Sequence, residues 1–182
     1  MVYHGTLKEH SQDILNRGVL IESCKRPTDF GRGFYVTFDK KQAERFARKR
    51  ASSSLLSNEE TAVVAFELNL AKLLCLNGYV FHEDDIARWQ KFIFNNRLDS
   101  NLYPNSYYST EPHNNQMQPP RFDYVYGFVA DGKMTQFSLL NLNIKSVIDE
   151  YIKTFDPIGD QLSFHTKEAL SCLEIKEVRY NV

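Results

Sequence analysis

Phe30-Gly31-Arg32-Gly33-Phe34-Tyr35-Val36-Thr37, preceded by Tyr3-His4-Gly5-Thr6, decides how this chain is read. In the first stretch two glycines lead into alternating aromatic and β-branched residues, so Gly33 to Thr37 is expected to be a strand. In the second, Val2 to His4 is a short apolar strand. Between them Ser11 to Arg17 has the pattern of a helix with Ile14 and Leu15 inward and Gly18 as its stop, and Ser23 to Asp29 is a loop broken at Arg26-Pro27. Asp39 then opens a helix through Arg50, with Ala43, Phe46 and Ala47 on one face, before a loop at Ala51 to Ser54. Further on, the patterning predicts strands over Thr61 to Leu68, Phe122 to Ala130, Gln161 to His165 and Leu173 to Tyr180. Helices are expected over Glu83 to Asn96, with Ile86, Trp89, Phe92 and Ile93 buried, and over Ile144 to Phe155. Strands interleaved with modest helices, without internal repeats, give an α+β domain rather than a regular doubly wound sheet.

A chain of 182 residues, 42% hydrophobic and 13% aromatic, is long enough to bury one substantial core, and a single domain over 1–182 is expected. The formal charge of −1 gives no global attraction to nucleic acid or to an anionic membrane, so any polyanion contact has to be local. Cys24, Cys75 and Cys172 are odd in number and lack metal-ligand spacing, which argues for a reducing compartment rather than a disulfide framework. Without a signal-peptide pattern or an apolar run of membrane-spanning length, a soluble, cytoplasmic protein without a membrane partner is expected.

An apolar residue followed by His-Gly-Ser/Thr, and then Gly-Lys/Arg-Gly-aromatic-Tyr, resembles the nicotinamide-gripping half of ADP-ribosyltransferases of the diphtheria-toxin and poly(ADP-ribose) polymerase type. More closely, the chain is similar to the bacterial domain-of-unknown-function family 3990, placed among relatives of those enzymes. The likeness is carried by Tyr3 to Thr6, Asp29 to Thr37, Ala43 to Ala47, Asp123 to Asp131 and Gln161 to Leu173. It implies an ADP-ribosyltransferase-like split pair of small, mainly antiparallel sheets, flanked by helices, around an NAD cleft. It also implies mono-ADP-ribosyl transfer to a protein or nucleic-acid acceptor with release of nicotinamide, in some relatives as the toxin of a toxin–antitoxin or phage-defence system, with an antitoxin as partner. No metal is called for. His4, Tyr35 and Gln161 would form the catalytic His-Tyr-acid-type triad, and His4, Gly5, Thr6, Gly33, Tyr35 and Phe46 would bind NAD.

The chemistry gives each residue a task. Breaking the bond from nicotinamide to ribose moves positive charge from the leaving ring to an oxocarbenium-like sugar, so the site has to desolvate the ring, hold the ribose and face the cation with electron density. Gly5 would bring its backbone amide and carbonyl to the nicotinamide carboxamide, which a Cβ would obstruct. His4 offers a ring nitrogen to a ribose hydroxyl. Tyr35 and, eleven residues on, Phe46 would wall the two faces of the nicotinamide, although Phe46 also fits a helix core position beside Ala43 and Ala47.

Two positions depart from the pattern. Ala43 replaces a Ser that contacts the nicotinamide amide. Gln161 replaces the usual Glu, and an amide keeps the contact to a ribose hydroxyl but is no base near neutral pH. Chain elongation is therefore not expected, while a single transfer to an already nucleophilic acceptor is, with Asp160 as a neighbouring source of charge. NAD glycohydrolysis and a catalytically silent NAD- or ADP-ribose-binding module are the alternatives. His165 shares the face of Gln161 but sits roughly 13 Å along an extended strand and reads as structural. His82-Glu83-Asp84-Asp85 reads as an acidic helix start rather than a metal site. Lys40, Lys41, Arg45, Arg48, Lys49 and Arg50 form either a solvated helix face or a basic rim for the diphosphate or an acceptor, with Arg45, Arg48 and Lys49 the acceptor-binding candidates. Tyr103, Tyr107 and Tyr108, in the polar stretch from Asn101 to Pro120, could stack a base or belong to an ordinary surface loop.

Overall fold

In the computed structural model, which describes residues 1–24, 28–53, 59–97, 122–130 and 157–182, the chain is an α+β fold of two small, mainly antiparallel sheets and several helices. The first sheet has the order β1 (Val2–Leu7), β3 (Thr61–Leu68), β7 (Leu173–Tyr180). The second has the order β2 (Phe34–Val36), β6 (Pro157–Phe164), β5 (Tyr124–Ala130), β4 (Gly78–Val80), with only β4 and β5 parallel. The helices are α1 (Lys8–Arg17), α2 (Lys40–Ser52), α3 (Leu70–Leu73), α4 (Ile86–Arg97) and α5 (Lys167–Leu170). None of these helices is long and apolar enough to cross a membrane.

Each element follows from its residues. In β3, Ala62 to Phe66 are all buried because both faces of the strand are covered. One face meets α2, and the other joins Val2, Phe34, Val36, Leu162 and Phe164 in the core between the sheets. A second core lies on the far side of the second sheet, where Trp89, Ile93 and Phe94 of α4 pack on Phe30, Phe81 and Val125. Helix α2 begins as the sequence predicts: the Asp39 side chain accepts from the Lys41 N–H, a cap worth about 1 kcal/mol. It runs through Ser52, past the expected stop. Helix α1 ends at Gly18, whose φ of +73° suits a residue without a Cβ.

Several boundaries differ from the sequence reading. Strand β1 extends to Leu7, and α1 starts at Lys8 with Ser11 buried, which leaves Leu15 46% exposed rather than inward. Strand β6 starts four residues early because Gly159, at φ +60°, forms a bulge that carries the pairing with β5 past Asp160. Three short elements escaped notice: β4, α3 and α5 span three or four residues, too few for a period to show. The tyrosine-bearing stretch from 101 to 120, the turn at Asp131-Gly132 and the helix expected over 144–155 lie outside the described residues.

Candidate functional site

Among the described residues the two sheets share one backbone link. Tyr3 of β1 and Thr37, just after β2, exchange both hydrogen bonds at 2.8 and 2.9 Å. Continuing that antiparallel register would set Gly5 opposite Tyr35, but no ladder forms there. Instead the His4 imidazole places Nδ1 2.6 Å from the Tyr35 carbonyl oxygen. A carbonyl only accepts, so His4 carries its proton on Nδ1, and Nε2 keeps a lone pair while the ring is neutral. Burial, reinforced by the charges of Arg50 and His10, lowers the His4 pKa to about 4 against the raising effect of the Tyr35 bond, and the ring is neutral at pH 7. It rests on Phe34, ring centres 4.4 Å apart.

The alternation of an antiparallel strand fixes where Gly5 points its main chain. Tyr3 bonds outward to Thr37, while Lys8, at an even-numbered position, bonds to Glu60 on the β3 side. The even-numbered residues of β1 therefore face β3, and the Gly5 N–H and C=O face the gap where the sheets part. The reason for glycine here differs from the expected one. A Cβ on Gly5 would overlap the Ala43 carbonyl oxygen and crowd the Ala47 nitrogen, so glycine lets α2 lie directly on β1. The Ala43 backbone carbonyl is thus the floor under Gly5.

Tyr35 projects to the opposite face of β2 from Phe34. Its hydroxyl donates to the Gly31 carbonyl at 2.6 Å and accepts from the Phe30 N–H at 3.0 Å, which folds the glycine-rich segment back on the ring. Burial pushes the phenol pKa up. One ring face is directed at Phe30, 6.4 Å away. On the adjoining strand Ser163 is the direct partner of Tyr35, so Gln161 is its diagonal neighbour on the same face.

Gln161 is 8% exposed, and its side-chain nitrogen donates to Asp29 Oδ2 at 2.8 Å and to the Phe128 carbonyl at 2.9 Å. Asp29, itself 5% exposed, also accepts from the Ala130 N–H at 2.9 Å. Asp29 had no role in the sequence reading. Its only signal was an acidic residue directly before the Phe-Gly-Arg-Gly run. Asp160, the carboxylate expected to assist, is committed elsewhere: it accepts from Thr37 Oγ1 and the Phe38 N–H, and its backbone pairs with the Gln42 amide.

Phe46 lies one helical turn beyond Gln42 on the same flank of α2 and is 51% exposed, without an aromatic partner among the described residues. It is not the core residue that its spacing with Ala43 and Ala47 suggested. Thr6 is buried in β1. Gly33 is glycine for His165, because a Cβ there would stand 2.8 Å from the His165 Nδ1. His165 is buried and bonds the Arg32 carbonyl and Ser163, in keeping with a structural role. His82 to Asp85 forms the turn into α4, where Asp85 pairs with Arg88. On α2, Arg45 pairs with Asp39 at 3.5 Å, while Arg48 and Lys49 are exposed without an ion pair among the described residues. A depression of about 240 Å³ bordered by Tyr3, Lys40, Val63, Ala65, Glu177 and Arg179 lies on the α2 side of the first sheet and includes none of His4, Tyr35 or Gln161.

The chain belongs to the family described as protein of unknown function (DUF3990), whose model matches residues 1–175. No curated protein and no solved structure matches it.

Proposed function

We propose that this chain is an NAD-dependent mono-ADP-ribosyltransferase whose nicotinamide subsite is the gap between β1 and β2. The observation that carries the reading is the main-chain pair of Gly5, one donor and one acceptor side by side, facing that gap beside His4 and Tyr35. A carboxamide is the ligand group that answers both, giving its N–H to the Gly5 carbonyl and its oxygen to the Gly5 N–H. Tyr35 and the half-exposed Phe46 supply aromatic faces, and the neutral His4 Nε2 accepts from a ribose hydroxyl.

In the reaction the bond from ribose C1′ to the nicotinamide nitrogen breaks. Its electron pair leaves with nicotinamide, which becomes neutral, and the positive charge passes to the ribosyl group. The lone pair of the acceptor then forms the new bond to C1′, and the acceptor proton goes to solvent. No side-chain base is assigned to that proton, so the acceptor is a group already nucleophilic at neutral pH.

The test is incubation of purified protein with labelled NAD, alone and with cell lysate. Nicotinamide release that rises with lysate, together with label on a macromolecule, supports transfer. Equal release without lysate identifies a glycohydrolase, and binding without release identifies a silent NAD-binding module.

A further inference from the structure

We propose that Asp29 supplies the negative charge of the site from behind Gln161, which takes the place of a catalytic glutamate as a fixed amide between the buried carboxylate and the cleft. This rests on the NAD reading above and says how the chain manages without a carboxylate at position 161.

The hydrogen bonds allow one assignment of the amide. Both groups facing the side-chain nitrogen of Gln161 are acceptors, the Asp29 carboxylate and the Phe128 carbonyl, and the latter also accepts from the Trp89 indole at 3.0 Å. Two protons are needed, and an amide has two. A glutamate has none when ionised and one when protonated, so with Asp29 in place a glutamate at 161 would set two carboxylates against each other. Glutamine is what Asp29 requires. The amide oxygen then points away from Asp29 and serves as the acceptor for a ribose hydroxyl.

Asp29 is held firmly. Its carboxylate takes the Ala130 N–H, and its backbone carbonyl takes the Asn96 amide of α4 at 3.3 Å. The Tyr35 phenol stands close enough for its ionisation to be opposed by the Asp29 charge. As the C1′ bond breaks and positive charge develops on the ribose, a carboxylate one amide group away in a water-poor setting stabilises it without moving and without forming a bond. Asp29 is therefore a positioning and charge-bearing residue, not a base.

Asp29→Asn tests the charge. The oxygen that accepts from Gln161 and Ala130 is retained, so the fold and the NAD affinity are expected to stay within about threefold of wild type, while the rate of nicotinamide release falls about 100-fold. Release at the wild-type rate overturns the proposal. Gln161→Glu tests the contact without relying on catalysis. Two facing carboxyls keep a proton in the folded state, so this variant is expected to lose melting temperature relative to wild type as pH rises from 5 to 8, and Asp29→Asn added to it is expected to abolish that trend. A difference from wild type that ignores pH also overturns the proposal. If wild type leaves NAD intact, the NAD reading fails and takes the charge role with it; if wild type cleaves NAD and Asp29→Asn cleaves it equally fast, this inference alone fails.

Discussion

The His4 imidazole donates from Nδ1 to the Tyr35 carbonyl, so a side chain occupies the place where the next rung of a ladder between β1 and β2 would form. The split between the sheets is thereby built in locally, and the main chain of Gly5 is left to face it. The consequences can be measured residue by residue.

His4 gives the fold a pH dependence. Its folded pKa, about 4, lies below the usual 6.5, so the unfolded chain takes up a proton first as pH falls. Stability present above pH 6.5 is then lost between 6.5 and about 4, and burial of His165 shifts its pKa in the same direction and adds to the loss. His4→Asn, which retains a donor for Tyr35, is expected to flatten part of this slope in urea unfolding followed from pH 4.5 to 7.5. A slope equal to that of wild type would show that His4 is protonated equally in both states.

Gly5→Ala is expected to lower the melting temperature by several degrees, because the added methyl meets the Ala43 carbonyl and α2 has to lift. Overpacking of this sort costs about 1–3 kcal/mol. The shape of the far-UV circular dichroism spectrum at low temperature should stay that of wild type.

Tyr35→Phe separates the hydroxyl from the ring. Loss of the bonds to Gly31 and Phe30 should destabilise the chain by about 1–3 kcal/mol. In the proposed site nicotinamide would rest on the ring face, so its affinity should change less than twofold by calorimetry.

Phe46→Ala should do the reverse. At 51% exposure the ring contributes little to the core, so stability should hold to within about 0.5 kcal/mol. Loss of one stacking wall should weaken nicotinamide binding about fivefold. A stability loss with unchanged binding would return Phe46 to the core role that its helical spacing suggested.

The acceptor is read through charge. Replacing Arg45, Arg48 and Lys49 by Gln removes three of the exposed cations of α2 but leaves Ala43 and Ala47 on β1. With a nucleic-acid acceptor, labelling should fall steeply with salt and with this triple change while NAD binding persists. Label that resists nuclease, yields to protease and ignores the substitutions indicates a protein acceptor.

Local pattern carried much of the fold. Thr61–Leu68 is a strand over the residues its β-branched and aromatic content predicts, Leu173–Tyr180 over those its alternation predicts, and Asp39 caps α2 as its side chain suggests. The two N-terminal motifs lie side by side, with the His4 imidazole against the Tyr35 carbonyl. Asp29 was invisible for a physical reason: its partner Gln161 is 132 positions away, and no local period reports a contact at that separation. Its importance follows from the acceptors that surround one amide nitrogen. The longer β6 was hidden in the same way, since Gly159 reads as a strand breaker until its positive φ makes it a bulge.

The Tyr3–Thr37 pair has a dynamic consequence. Among the described residues two amide protons form the backbone seam between the sheets, whereas the amides of β3 are bonded within a strand paired on both sides. Parting the seam breaks these two hydrogen bonds and the neighbouring one from His4 to the Tyr35 carbonyl, while exposing the centre of β3 requires a sheet to come apart, so deuterium should enter at Tyr3 and Thr37 long before it reaches Val64. A ligand wedged beside Gly5 would hold the seam closed. Slowed exchange at those two positions would then register its presence without any chemistry having occurred.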